Sequence, residues 1–153
     1  MGRNGCMEER HISQSFSVHL VSWQDREPLL RLVRTEVFIC EQGVTPELEW
    51  DELDQLCQHG LAFSAAGDAV GCGRITQEGH IGRMAVLPEW RGKGVGSALL
   101  QRLLEYARSR NFTQVGLNAQ VQVIPFYRRF GFHELGEIFM DANIPHMRMQ
   151  LQL

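Results

Sequence analysis

From Leu87 to Leu100 the chain reads Leu-Pro-Glu-Trp-Arg-Gly-Lys-Gly-Val-Gly-Ser-Ala-Leu-Leu, with Gly92, Gly94 and Gly96 in five consecutive residues. The run before it, His80 to Leu87, reads as a β segment. After it, Val95, Ala98, Leu99, Leu103, Leu104 and Ala107 fall at helical spacing. Such a strand–glycine–helix junction turns unpaired backbone N–H groups and the positive end of the helix dipole toward an anion. Glycine removes the Cβ that would keep phosphate oxygens away. The feature therefore demands an α/β arrangement and suggests a phosphate-bearing ligand. Spacing excludes two of them. A P-loop would need Gly where Leu87 stands and Ser or Thr where Gly94 stands, and G-x-G-x-x-G fails at Ser97 in one frame and Leu99 in the other. Spacing alone leaves open a glycine-rich helix start with no ligand at all.

The remaining elements fit around this junction. Phe16 to Trp23 reads as a strand, and Asp25 is placed to cap a helix that runs to about Ile39 with Pro28 in its first turn. Gly43 and Pro46 break the pattern, and a second helical piece is expected from Leu48 to Leu56. Leu61 to Ala66 and Ala69 to Thr76 flank a Gly67-Asp68 turn, a hairpin signature. After the long helix come a strand from Thr113 to Asn118, a helix from Val121 to Phe130, and strands from Phe132 to Met140 and Pro145 to Leu151. With 153 residues, a single domain over 16–153 is expected behind a flexible leader of residues 1–15. A hydrophobic fraction of 44% is too high for disorder.

Charge and special residues narrow the function. Fifteen basic against 18 acidic residues give −3, which favours neither nucleic acid nor a membrane surface. No apolar run reaches the length of a spanning helix. The first 16 residues lack the apolar core of a signal peptide, and Cys6 stands where a myristoylation start needs Ser or Thr. Cys6, Cys40, Cys57 and Cys72 are widely spaced, so reduced thiols in a cytoplasm are expected. His133-Glu134-Leu135-Gly136-Glu137 lacks the second His of a zinc motif, and Cys57-Gln58-His59 is too isolated to hold a metal, so no metal site is expected.

Two motifs in order resemble those of the GNAT superfamily of acyl-CoA-dependent N-acetyltransferases. Arg91-x-x-Gly94-x-Gly96 is similar to its pyrophosphate-binding R/Q-x-x-G-x-G/A, preceded by Gly82-Arg83-Met84-Ala85-Val86-Leu87-Pro88 as its fourth strand. Ile124-Pro125-Phe126-Tyr127-Arg128-Arg129-Phe130-Gly131-Phe132 is similar to its A-x-x-F-Y-x-x-x-G-F. Glu36 to Gln42, Glu49-x-Asp51-x-x-Asp54, and Ile144-Pro145-His146-Met147-x-Met149 look like the YjcF/ElaA-like branch of small bacterial members.

The resemblance implies a GNAT fold: a mixed, mostly antiparallel twisted sheet flanked by helices and splayed between its fourth and fifth strands. It implies acetyl-CoA as cosubstrate, held by Arg91, Gly92, Lys93, Gly94, Val95, Gly96 and Ser97 at the pyrophosphate, and by Met84, Ala85, Val86 and Asn118 along the pantetheine arm. Tyr127 becomes the proton donor to the coenzyme sulfur, since a phenol keeps its proton at pH 7. Glu41 and His146 are the candidate bases, with a water chain as the third option; an imidazole titrates near neutrality. The acceptor implied is a small-molecule primary amine, without nucleic acid or membrane, and a homodimer through the last strands is compatible. A binding module that senses acyl-CoA without turnover, and a nucleotide-binding regulator, are the alternatives. Residues 36–54 carry seven carboxylates and no basic residue, a wall that would attract a cationic acceptor or simply face solvent.

Overall fold

The structure is a computed structural model that describes residues 15–153. All of the expected leader but Ser15, and Cys6 with it, lies outside the described residues.

The first strand, β1 (Phe16–Val21), leads into α1 (Trp23–Arg34). Ser22 rather than Asp25 is the cap: its hydroxyl accepts from the Asp25 N–H at 3.1 Å. The backbone leaves helical geometry at Arg26 (φ −129°, ψ 18°), and the helix restarts there. Pro28 therefore occupies the first turn of the restarted helix, where its missing N–H costs nothing. Beyond Arg34 the helix widens into a π-helical segment, Thr35–Glu41. The expected piece from Leu48 to Leu56 is instead two short turns, α2 (Pro46–Glu49) and a 3₁₀ turn (Glu52–Gln55), parted at Trp50 and Asp51.

Next come β2 (Gln58–Ser64), β3 (Ala69–Ile75) and β4 (His80–Val86), then α3 (Val95–Ser109) and β5 (Gln114–Gln120). The expected helix from Val121 to Phe130 splits into a 3₁₀ turn (Val121–Val123) and α4 (Ile124–Arg128). The strands β6 (His133–Asp141) and β7 (Ile144–Gln152) finish the chain. Seven strands form one sheet in the order β1-β2-β3-β4-β5-β7-β6. Every neighbouring pair is antiparallel except β4 with β5.

Helix α3 lies across β1–β4 on one face and α1 against β2–β4 on the other. On α3 the buried positions are Val95, Leu99, Leu100, Leu103, Leu104 and Ala107, one stripe at helical period. Each fully buried leucine on that stripe contributes about 1.5–3 kcal/mol. Trp23, Leu30, Val33 and Val37 close the opposite face with Leu61, Cys72 and Ala85.

The parallel pair is what makes room for a site. Only His80 with Gly116 and Ile81 with Leu117 are in register between β4 and β5. Past those residues β4 stays with β3 and β5 with β7, so the sheet splits toward the carboxyl ends of two parallel strands. In open α/β sheets that is where ligands enter.

Candidate active site

A cleft of about 730 Å³ fills the split. Its floor is β4 from His80 to Val86 and its far wall is Leu117, Asn118 and Gln120 of β5. The start of α3 and the residues Phe126 and Tyr127 of α4 close one end; Glu41 and Gln42 of the π-helical segment and Ile144 and His146 of β7 also line it. Of the residues expected from sequence, Met84, Ala85, Val86, Arg91, Gly92, Gly94, Val95, Gly96, Ser97, Asn118, Tyr127, Glu41 and His146 all line this one cleft. Lys93 stands apart, its ammonium 5.1 Å from the centre of the Trp90 ring.

The glycine loop has the geometry its sequence suggests. Gly92 and Gly94 take φ of 75° and 87°, the left-handed region that a side chain resists. Gly94 caps α3 without any side-chain acceptor, and the first helical bond runs from Ala98 N–H to Gly94 O at 3.0 Å. The N–H groups of Val95, Gly96 and Ser97 therefore precede the helical ladder, in residues that line the cleft. A Cβ on Gly94 would meet nothing within 4 Å, and one on Gly96 would make only ordinary contacts, at 3.7 Å with Phe126 and 3.8 Å with Val86. The protein itself does not use the space that these residues leave. An uncapped helix start beside an open cradle fits a pyrophosphate.

Arg91 is already engaged. Its Nη1 and Nη2 donate to the two carboxylate oxygens of Glu41 at 2.6 and 2.5 Å, and its Nε donates to Val86 O at 3.0 Å. This pair ties the π-helical segment to the glycine loop. The guanidinium hydrogen bonds hold the Glu41 carboxyl below its ordinary range, and Glu41 in turn raises Arg91.

Tyr127 is 7% exposed. Burial pushes its phenol up to about 12, so it stays protonated across the working pH range. No described residue hydrogen-bonds its hydroxyl. His146, opposite Gln120 in the β5–β7 ladder, has Nδ1 2.7 Å from Ile144 O. A carbonyl only accepts, so Nδ1 is the nitrogen that donates here, which leaves Nε2 as the ring's other site for a proton. Phe139 stacks on the ring at 5.9 Å.

Residues outside the expected set also line the cleft. Burial, with Arg148, Arg74 and Arg83, lowers the His80 imidazole below its ordinary value. Gln120 Nε2 donates to Gln42 Oε1 at 2.9 Å, linking the two walls. Neither shows a motif in sequence; a histidine at the start of an apolar strand and a lone glutamine pair carry no periodic signal.

The acidic stretch is not an open wall. Of its seven carboxylates only Glu41 and Glu49 reach the cleft. Glu49 and Asp54 are buried and hold Arg34, with Nε to Glu49 Oε2 at 2.8 Å and Nη1 to Asp54 Oδ1 at 2.7 Å. Arg74 binds Asp51 twice at 2.8 Å and Asp54 Oδ1 at 2.8 Å. Burial still pushes the Glu49 carboxyl up, against the pull of Arg83 and Arg34. The sequence held the signal: Arg34 falls four residues after Leu30 on the buried stripe of α1, and Arg74 lies in the fully buried β3.

Residues 33–153 match the family described as the Acetyltransferase (GNAT) domain. An uncharacterized N-acetyltransferase of Bacillus subtilis, YjcF, is 38% identical over 121 residues, covering 76% of this chain and 86% of that protein. The crystal structure of an acyl-CoA N-acyltransferase from Pseudomonas aeruginosa superposes with a TM-score of 0.79 at 32% identity, covering 89% of this chain and 99% of that one. Escherichia coli ElaA superposes with a TM-score of 0.79 at 26% identity over the same shares. With most of its length matched and its sheet split around a glycine-capped helix, the chain belongs to the GNAT acetyltransferase family and is an acyltransferase of that type.

Proposed function

We propose that the protein moves an acetyl group from acetyl-CoA to the nitrogen of a small-molecule primary amine, by direct attack within a ternary complex. The observation that carries this reading is the single cleft in which an uncapped, glycine-lined helix start and an unpartnered, protonated phenol meet. Acetyl-CoA, when bound, supplies the activated acyl group as a thioester.

The chain's own groups divide the remaining work. The N–H groups of Gly92, Gly94, Val95, Gly96 and Ser97 receive the pyrophosphate, and Lys93 adds a nearby positive charge. The main chain of Met84, Ala85 and Val86 and the side chain of Asn118 hold the extended arm between the strands. Backbone N–H groups of β4 meet the negative charge that develops on the acyl oxygen. Tyr127 donates its proton to the departing sulfur, and His146 Nε2 takes the proton that the amine must lose before it attacks. Glu41 is the second candidate base, but its carboxylate takes a proton only once its pair with Arg91 opens. Because Glu49, Asp51 and Asp54 are matched by arginines, net acidity no longer argues for a cationic acceptor.

The test is free-thiol release from acetyl-CoA with a panel of amines, run beside coenzyme A and ATP thermal-shift titrations. Amine-dependent thiol release is expected. Coenzyme A stabilisation without turnover of any amine would leave a sensor, and stabilisation by ATP alone a nucleotide-binding regulator.

A further inference from the structure

Arg83 is the one place where β4 departs from regular pairing. Val86 faces Gly71 and Ala85 faces Cys72, but Gly82 then faces Arg74. Arg83 and Met84 therefore stand opposite Gly73 alone, a bulge. At this bulge Arg83 takes φ of 53°, a conformation that glycine adopts freely and arginine does not. Strain of this kind persists only where surrounding contacts over-determine it.

Those contacts are present. Arg83 Nη2 donates to Glu49 O at 3.0 Å and lies 3.4 Å from Asp51 Oδ2. Its Nε sits 3.0 Å from Glu49 Oε2, an ion pair whose N–H does not point along the contact. Cys72 Sγ–H approaches the Arg83 carbonyl at 3.5 Å. Glu49 and Asp51 cannot drift, because Arg34 and Arg74 grip them from the other side. Three arginines and three carboxylates thus form one balanced cluster, and Arg83 is its only arm that comes from β4.

We propose that Arg83 is a positioning residue for acyl transfer: the buried ion cluster clamps its side chain, holds the bulge in β4, and so fixes the direction of the Met84 and Ala85 backbone groups in the cleft. This rests on the acyl-CoA reading of that cleft. The clamp acts on the acyl end and not on the glycine loop, which lies beyond the end of the same strand. It also accounts for three carboxylates of the acidic stretch, Glu49, Asp51 and Asp54, which brace β4.

The experiment compares Arg83→Met, Arg83→Lys and the core variant Leu61→Ala with wild type, at a temperature where each is folded. Coenzyme A affinity is measured by calorimetry and kcat by thiol release at saturating acetyl-CoA. Arg83→Met is expected to lose about 10- to 100-fold in kcat, the cost of a small misplacement of reacting groups, with coenzyme A affinity within about twofold. Arg83→Lys should recover part of the loss, and Leu61→Ala should melt earlier with kcat unchanged. Should Arg83→Met fail to fold, Glu49→Gln, which keeps the shape and removes the charge, takes its place with the same expectation. Wild-type kcat in the Met variant, or an equal fall in Leu61→Ala, overturns the proposal. Absence of coenzyme A binding in wild type overturns the reading of the cleft itself and the proposal with it.

Discussion

Two groups of glycines, about twenty residues apart in sequence, serve two parts of the same helix, one beneath it on the sheet and one at its amino end. On β3, a Cβ at Gly71 would lie 2.9 Å from Val95 Cγ1 and 3.1 Å from Leu99 Cδ1, and one at Gly73 would overlap Met84 Sδ. Those glycines exist so that α3 can lie close on the sheet. At the amino end of α3, a Cβ at Gly94 would meet no protein atom within 4 Å, and one at Gly96 would make only ordinary contacts with Phe126 and Val86. A missing side chain is accounted for by packing in the first region; in the second, packing accounts for neither glycine, and the left-handed backbone accounts for Gly94 alone. Tyr127 belongs with the second region: its ring is packed, yet its hydroxyl has no partner among the described residues. The packed side of the sheet is complete, and the cleft is not.

The contrast breaks most sharply at Tyr127. Changing it to Phe keeps the ring and removes only the proton, so kcat should fall by about 10²–10⁴, with coenzyme A affinity unchanged. The melting temperature should not fall, because the hydroxyl makes no hydrogen bond to another described residue that the change would remove. Steady-state kinetics and calorimetry read both; unchanged kcat would return Tyr127 to the core.

A smaller effect separates the two glycine groups directly. Gly96→Val should weaken coenzyme A binding by about tenfold or more, ~1.4 kcal/mol, while leaving the melting temperature near wild type. Gly71→Ala should do the reverse, costing about 1–3 kcal/mol of stability through overpacking with coenzyme A affinity retained in the folded protein. Titration calorimetry and thermal melts on the two variants give four numbers; any pattern other than this crossed one breaks the comparison.

The smallest effect concerns the packed side alone. Burial lowers His59 below its ordinary value of 6.5, with Nε2 donating to Asp54 O at 2.8 Å. The unfolded chain then binds a proton that the folded chain does not. Stability from His59 is therefore full above about pH 6.5 and lost as pH falls through the folded value. Asp51, lowered by its hydrogen bonds from Arg74, adds a loss of the same sign below about pH 4. Melting temperature followed downward from pH 7.5 should drop in two stages, and His59→Gln should shrink the upper one, to which His80, also lowered by burial, contributes the rest.

The sequence made the cleft legible where function leaves a spaced pattern. Arg91, Gly94, Gly96 and Tyr127 belong to fixed motifs, and all of them line the cleft. The mixed sheet, opened between its fourth and fifth strands, followed from the same resemblance. What sequence spacing hid was pairing across distance. Seven carboxylates in one window read as a charged wall, because the arginine partners of Glu49, Asp51 and Asp54 arrive from α1, β3 and β4. The breaks in the helical segments were hidden for a local reason. Trp50 turns extended (φ −87°, ψ 128°) and Asp51 follows so that its side chain can accept from Leu53 N–H at 3.1 Å. Local hydrogen bonding of this kind competes with helix and leaves no periodic trace.

The central claim is that the incomplete region is completed by a coenzyme. The most direct measurement is a titration of uniformly ¹⁵N-labelled protein with acetyl-CoA, following backbone amide resonances. The amides of Gly94, Val95, Gly96 and Ser97 should move first and furthest, with Met84 and Ala85 following, while Gly60, Gly71 and the far end of α3 stay in place. Saturating acetyl-CoA that leaves the glycine loop unmoved, or shifts confined to the packed side of the sheet, would contradict it.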